Sequence, residues 1–227
     1  MALDHLALRT VRTTLIGFVV LAALLFVPAG TLDYWQAWLF ILVFSASTTV
    51  IGLYLALKDP ALLARRMQVG PGAEQGTAQK IIISLGFLGL VGVMVLSALD
   101  HRFEWSPAPA PVSLVGDALV ALGLFIDLLV FRENTYGASN IRVEQGQAVI
   151  SSGPYAIARH PMYAGVLIVV VGIPLALGSW LGLLVLLLIT PVLVWRILDE
   201  EKLLKKDLPG YTAYMREVRY RLVPRVW

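Results

Sequence analysis

Apolar and polar residues alternate along the chain in blocks of membrane-spanning length. Residues 35–57 and 81–99 carry no charge, and residues 112–131 carry only Asp117 and Asp127. About 20 apolar residues cross the hydrocarbon core of a bilayer, so each block predicts a transmembrane helix. Residues 14–27 are also apolar and follow Arg9 and Arg12, as the core of a signal peptide would. Pro28-Ala29-Gly30 is a poor small-x-small cleavage site, however, so this block reads as a retained first helix. Two more apolar segments, 162–177 and 180–195, are joined only by Gly178-Ser179. At 1.5 Å per residue each is roughly 24 Å long, short of a ~30 Å core. They predict a tight helical hairpin, which Pro174 and Pro191 interrupt.

The polar segments divide the rest. Residues 58–80 form a loop with a Gly70-Pro71-Gly72 cluster, and residues 100–111 form a proline-rich turn containing Trp105. Residues 132–159 are the longest polar stretch. Within it, 140–144 and 148–151 flank Gln145-Gly146-Gln147, a pattern that predicts a small β-hairpin. Residues 199–227 form a charged tail, helical in its first half. The expected fold is an all-α integral membrane protein of about six transmembrane helices with a small cytoplasmic β-hairpin. It divides into an N-terminal part, 1–111, holding helices 1–3, and a second part, 112–227. The second part would hold helix 4, a loop at 132–161, the hairpin at 162–198 and the tail.

Composition agrees: 58% of residues are hydrophobic and 15% charged, too apolar for a soluble domain. Cysteine is absent, which excludes disulfides, thiolate metal sites and a cysteine nucleophile. His5, His101 and His160 show no metal-ligand spacing, so no metal is expected. The net charge of +3 carries no indication of nucleic acid binding. Of the 18 Lys and Arg residues, Arg102 alone falls on one side of the predicted membrane. That bias puts both termini and the 132–159 loop in the cytoplasm. Trp35, Trp38, Trp105 and Trp180 lie near the opposite interface, as an aromatic belt does.

The chemistry gathers on the cytoplasmic side. Pro is favoured in the first turn of a helix, so Pro161 predicts a helix start with Arg159 and His160 at its mouth. Free N–H groups there suit a small anion or carboxylate. The hairpin returns Arg196, Glu200 and Glu201 to the same end, with Arg196 and Glu200 four apart on one helix face. Interfacial anchoring is the plainer reading of such charges. Asp127 is expected to pair with Arg132.

Arg159-His160-Pro161-Met162-Tyr163-Ala164-Gly165 resembles the RHPxYxG motif of isoprenylcysteine carboxyl methyltransferases and related phospholipid methyltransferases. Gly153-Pro154-Tyr155, the Glu200-Glu201 pair, Gly210-Tyr211-x-x-Tyr214 and Tyr220-Arg221-Leu222-Val223-Pro224 fit the same family in order and spacing. The resemblance spans roughly residues 134–227. It implies an S-adenosylmethionine-dependent methyltransferase with a cytoplasm-facing pocket. Gly153, Tyr155, Arg159, His160, Pro161, Tyr163, Gly165, Glu200 and Glu201 would bind the cofactor, and Arg196 and Glu200 would be catalytic. It further implies a lipophilic or prenylcysteine-like acceptor arriving from the bilayer, with Arg196 clamping an acceptor carboxylate. A phospholipid amine or a small thiol is the alternative within the family. The location would be the inner or plasma membrane if the source is bacterial. A nicotinamide-dependent sterol-reductase type shares the arginine–histidine motif and a Tyr-Arg-x-x-Pro ending, but Pro161 and the glutamate pair favour the methyltransferase. A transporter would place its charges near the bilayer midplane rather than at one face.

The charge bias generates a prediction for topology. Reporter fusions at Gly146 and at the C-terminus should report the cytoplasm, and one at Ala108 the opposite side. An external signal from Gly146 would reverse the assignment of the site.

Overall fold

The computed structural model describes residues 2–74, 76–137, 143 and 146–227. Helices dominate: α1 (Ala2–Ala29), α2 (Trp35–Lys58), α3 (Pro60–Arg66), α4 (Thr77–Phe103), α5 (Ala110–Glu133), α6 (Pro161–Ala176), α7 (Leu186–Asp207) and α8 (Tyr211–Glu217). Prolines set several of the starts, because a first-turn N–H has no helical partner to lose. Pro60 opens α3, where Asp59 Oδ1 accepts the Leu62 N–H at 2.8 Å. Pro161 opens α6 as expected.

Among the described residues, α2, α4, α5 and the stretch Leu181–Asp207 are long and apolar enough to cross a membrane. The chain is an integral membrane protein on that ground. The other two expected spans are shorter: Leu15–Ala29 within α1, and α6 with 16 residues. The expected count of about six is therefore not reached on length. The second hairpin arm is also longer than expected, since α7 runs on to Asp207 and carries Arg196, Glu200 and Glu201 on one helix.

The expected β-hairpin is not confirmed. Its first arm lies outside the described residues except for Val143. Its second arm, 148–151, is irregular, and the described residues contain no strand. Val149 instead packs its side chain against Leu208, Tyr211 and Tyr214 of the tail.

The α6–α7 turn reaches the far end of the bundle. Ala108 N–H donates to Gly178 O at 2.8 Å, Trp180 N–H to Ser106 O at 3.1 Å, and Tyr34 Oη to Leu177 O at 2.6 Å. His101 stacks on Tyr34 with ring centroids 3.8 Å apart. Asp100, only 1% exposed, accepts the Ser106 N–H and Oγ–H, each at 2.6 Å, and the Ser179 Oγ–H. Loops that the charge bias assigns to one side thus meet at one end. Satisfying a buried carboxylate this fully offsets its desolvation.

The tightest packing joins α5 to α6, which run antiparallel. Gly116 and Gly123 on α5 face Gly172 and Gly165 on α6. A Cβ on Gly116 would fall on the Ala176 backbone, one on Gly123 would lie 2.5 Å from Gly165 O, and one on Gly172 would lie 2.8 Å from Gly116 O. Small residues let helix backbones approach where lipid gives no hydrophobic drive between helices. This contact fixes the height of α6, whose first turn places Met162 against Val130 and Phe131 of α5. The mouth of α6 is therefore sunk about a turn below the end of α5.

Gly116→Ala and Gly172→Ala should each lower thermal stability in detergent, by about 1–3 kcal/mol for an overpacked contact. Gly86, whose Cβ would meet nothing within 4 Å, is the control. Gly86→Ala should leave the melting temperature unchanged or raise it, since alanine is the better helix former.

Candidate active site

Arg159 and His160 are held by backbone before their side chains act. Arg159 N–H donates to Tyr220 O and His160 N–H to Arg221 O, both at 2.9 Å. This short extended pairing joins the loop before α6 to the closing segment of the tail. Beneath it lies Glu201, 2% exposed. Its Oε1 accepts from Arg159 Nε at 2.9 Å, with Arg159 Nη2 at 2.8 Å and His160 Nε2 at 3.4 Å. Its Oε2 accepts from Arg221 Nε at 3.1 Å and Nη2 at 3.0 Å. Arg159 Nη1 also donates to Val218 O and Arg219 O, each at 2.8 Å. One carboxylate on α7 therefore ties the mouth of α6 to the tail.

Beside this anchor opens a cleft of about 830 Å³, a figure that includes its open mouth. The side chains and loop residues of Asn134, Tyr136, Gly137 and 147–150 form one wall, and Leu204, Leu208, Tyr211 and Tyr214 form another. Tyr155, Arg159, His160, Pro161, Met162 and Tyr163 line the side at the mouth of α6, and Arg196 and Glu200 line the α7 side. Tyr214 Oη donates to Tyr155 O at 2.7 Å, and Asn134 Nδ2 donates to Tyr155 Oη at 2.8 Å. Burial pushes the Tyr155 phenol up to about 12, against the opposing hydrogen bond from Asn134. Burial raises Tyr211 and Tyr214 as well. These phenols stay protonated at neutral pH and serve as donors and apolar faces, not as bases.

At the inner end Tyr163 Oη donates to Glu200 Oε2 at 2.6 Å and accepts from Arg196 Nε at 3.3 Å. Arg196 Nη1 pairs with Glu74 Oε1 at 2.8 Å and donates to Gln79 Oε1. Gln79 Nε2 in turn donates to Asp199 Oδ2.

The expected site residues separate into two groups. Tyr155, Arg159, His160, Pro161, Tyr163, Arg196 and Glu200 meet at the cleft. Gly153, Gly165 and Glu201 do not line it. Gly153 takes a positive φ of 55°, and its Cβ would lie 2.6 Å from Glu133 Cγ, so it serves a close approach to α5. Gly165 serves the α5–α6 contact, where a Cβ would meet Asp127 Oδ1. Asp127 itself is buried against that contact within the field of Arg66, while Arg132 is exposed, so the expected Asp127–Arg132 pair is not formed.

Sequence reasoning missed the support from the N-terminal part. Arg66 Nη1 donates to Gly137 O at 2.9 Å, and the guanidinium lies 4.0 Å from the Phe131 ring centroid. Arg65 donates to Thr135 O, and Thr135 Oγ1 to Asp59. The short α3 thus pins the start of the cleft wall. Glu74 and Gln79 were missed too. The only signal for α3 was a basic pair closing a proline-started helix, and Glu74 and Gln79 left none.

Residues 112–208, less than half of the chain, match the family model described as phospholipid methyltransferase. That segment is similar to phospholipid methyltransferases, one of the two families its motifs resemble. The Delta(14)-sterol reductase of Mus musculus is 29% identical over 137 residues, covering 52% of this chain and 33% of that protein. The chain spans about a third of the length of this curated relative.

Glu201 and Glu200 are neighbours with opposite duties, which mutation should separate. Removing one partner of a buried ion network costs about 3–5 kcal/mol. Glu201→Gln should therefore lower the melting temperature sharply, and Glu200→Gln should leave it near that of the native protein. Equal melting temperatures for the two variants would overturn the anchor role of Glu201.

Proposed function

We propose that the protein transfers a methyl group from S-adenosylmethionine to a lipophilic acceptor at the cytoplasmic face of its membrane. The observation that carries this reading is the cleft at the mouth of α6, with the residues matching the family motif gathered on its lining. Its donor set fits the cofactor. The first-turn N–H groups of α6 at Met162 and Tyr163, beside the Arg159 and His160 side chains that Glu201 holds in place, suit a carboxylate. Tyr211 and Tyr214 offer faces to an adenine. When bound, S-adenosylmethionine supplies an electrophilic methyl group on a sulfonium, which needs chiefly an aligned nucleophile.

The inner end, at Tyr163, Arg196 and Glu200, receives the acceptor's head group in this reading. A carboxylate of isoprenylcysteine type, clamped by Arg196, was the expectation from sequence. The bonds favour an amine. Tyr163 occupies Glu200 Oε2, which leaves Oε1 to accept a proton from an ammonium head group. Proton removal by a positioned carboxylate contributes typically 10²–10⁴-fold. The cytoplasmic orientation rests on the Lys and Arg distribution. A nicotinamide-dependent reductase is the second reading, favoured by the sterol reductase relative.

Calorimetry on the purified protein should show binding of S-adenosylmethionine and none of NADPH. The reverse result would transfer the protein to the reductase reading. With an amine acceptor the rate should climb from about pH 6 to 9, because an alkylamine titrates near ~10.4. A carboxylate acceptor, titrating near ~4, would give a flat profile over that range. Glu200→Gln should lower turnover at least a hundredfold.

A further inference from the structure

Glu74 lies in the connection between α3 and α4, outside the segment that matches the family. Its carboxylate nevertheless reaches the acceptor end of the cleft. The Glu74–Arg196 pair is 2.8 Å long, and the two side chains are 2% and 7% exposed. Gln79 braces the same guanidinium nitrogen and ties it to Asp199. A relay of bonds runs from Glu74 through Arg196 and Tyr163 to Glu200 on the cleft lining.

A buried guanidinium is a strong site for carboxylates, because its planar donors match their geometry and little water screens the charge. Arg196 lines the cleft and would be such a site if its charge were not balanced from behind. We propose that Glu74 is a specificity-determining residue. By neutralising Arg196 it makes the acceptor end reject carboxylate head groups and accept uncharged or cationic ones. The proposal rests on the reading that places the acceptor at Arg196. It assigns to the N-terminal part a role in choosing the substrate, beyond holding the fold.

The test uses the full chain in nanodiscs of zwitterionic lipid, titrated with hexanoate and with hexylamine by calorimetry. The native protein should bind hexylamine at least as well as hexanoate. Glu74→Gln keeps an oxygen acceptor for Arg196 and removes the charge. It should tighten hexanoate about tenfold and leave hexylamine unimproved. Arg196→Gln is the reciprocal variant: it removes the cation paired with Glu74 and should tighten hexylamine about tenfold without helping hexanoate. If one variant fails to insert, the other still reads the same pair. Hexanoate affinity within about twofold of native in Glu74→Gln, or an equal gain for both probes in either variant, overturns the proposal. S-adenosylmethionine binding is measured in the same samples. Its absence from the native protein overturns the methyltransferase reading and leaves the comparison of the two probes intact.

Discussion

Two guanidinium groups and an imidazole converge on Glu201, and the shape of the cleft depends on that convergence. Arg159 and His160 come from the loop before α6, Arg221 from the tail, and the carboxylate from α7. A buried ion network is an uncertain source of net stability, because desolvation offsets much of the attraction. What it supplies here is geometry. Both carboxylate oxygens are used, and the backbone pairing of Arg159 and His160 with Tyr220 and Arg221 leaves the lip of the cleft one arrangement. Glu200, one residue earlier, projects onto the cleft lining because successive helical residues point about 100° apart.

The larger architecture was legible because bilayer thickness and helix period leave few alternatives. The apolar blocks became helices, Pro161 opened α6, and the loops sharing a predicted side meet at one end. The site was legible in part. Its motif put Tyr155, Arg159, His160, Tyr163 and Glu200 at one cleft. Motif glycines, by contrast, can serve a ligand or a neighbouring backbone. Gly153 and Gly165 serve backbone and α5, which only packing reveals. The seven-residue spacing shared by Gly116 with Gly123 and by Gly165 with Gly172 was a signal of helix contact that the motif reading overlooked. The expected strand at 148–151 failed because a polar loop beside a helix can bury Val149 without a partner strand. Glu74 and Gln79 had no local signature at all. Their partners Arg196 and Asp199 lie more than a hundred residues away, and such pairings are set by the fold.

The two parts of the chain are therefore not a catalytic half with an anchor attached. The short α3 holds the first wall of the cleft through Arg65 and Arg66, and the connection after it closes the inner end through Glu74. The family match begins only at residue 112, so the residues supporting the cleft from the N-terminal side lie outside what it describes. Differences there offer a route by which chains sharing the matched segment can diverge in what they accept.

The shortness of α6 has a further consequence. With 16 residues and its glycines locked to α5, it cannot rise to the level at which its neighbours end. On the proposed reading, the reaction centre would accordingly sit at the depth of lipid head groups and not out in water. A molecule anchored by its own tail meets such a centre by diffusing in two dimensions. Its effective concentration is then a mole fraction of the surrounding lipid, fixed by membrane composition, while a soluble co-reactant would be governed by its molarity in water. Two reactants counted in different units would then meet at one cleft, and each could limit turnover independently of the other.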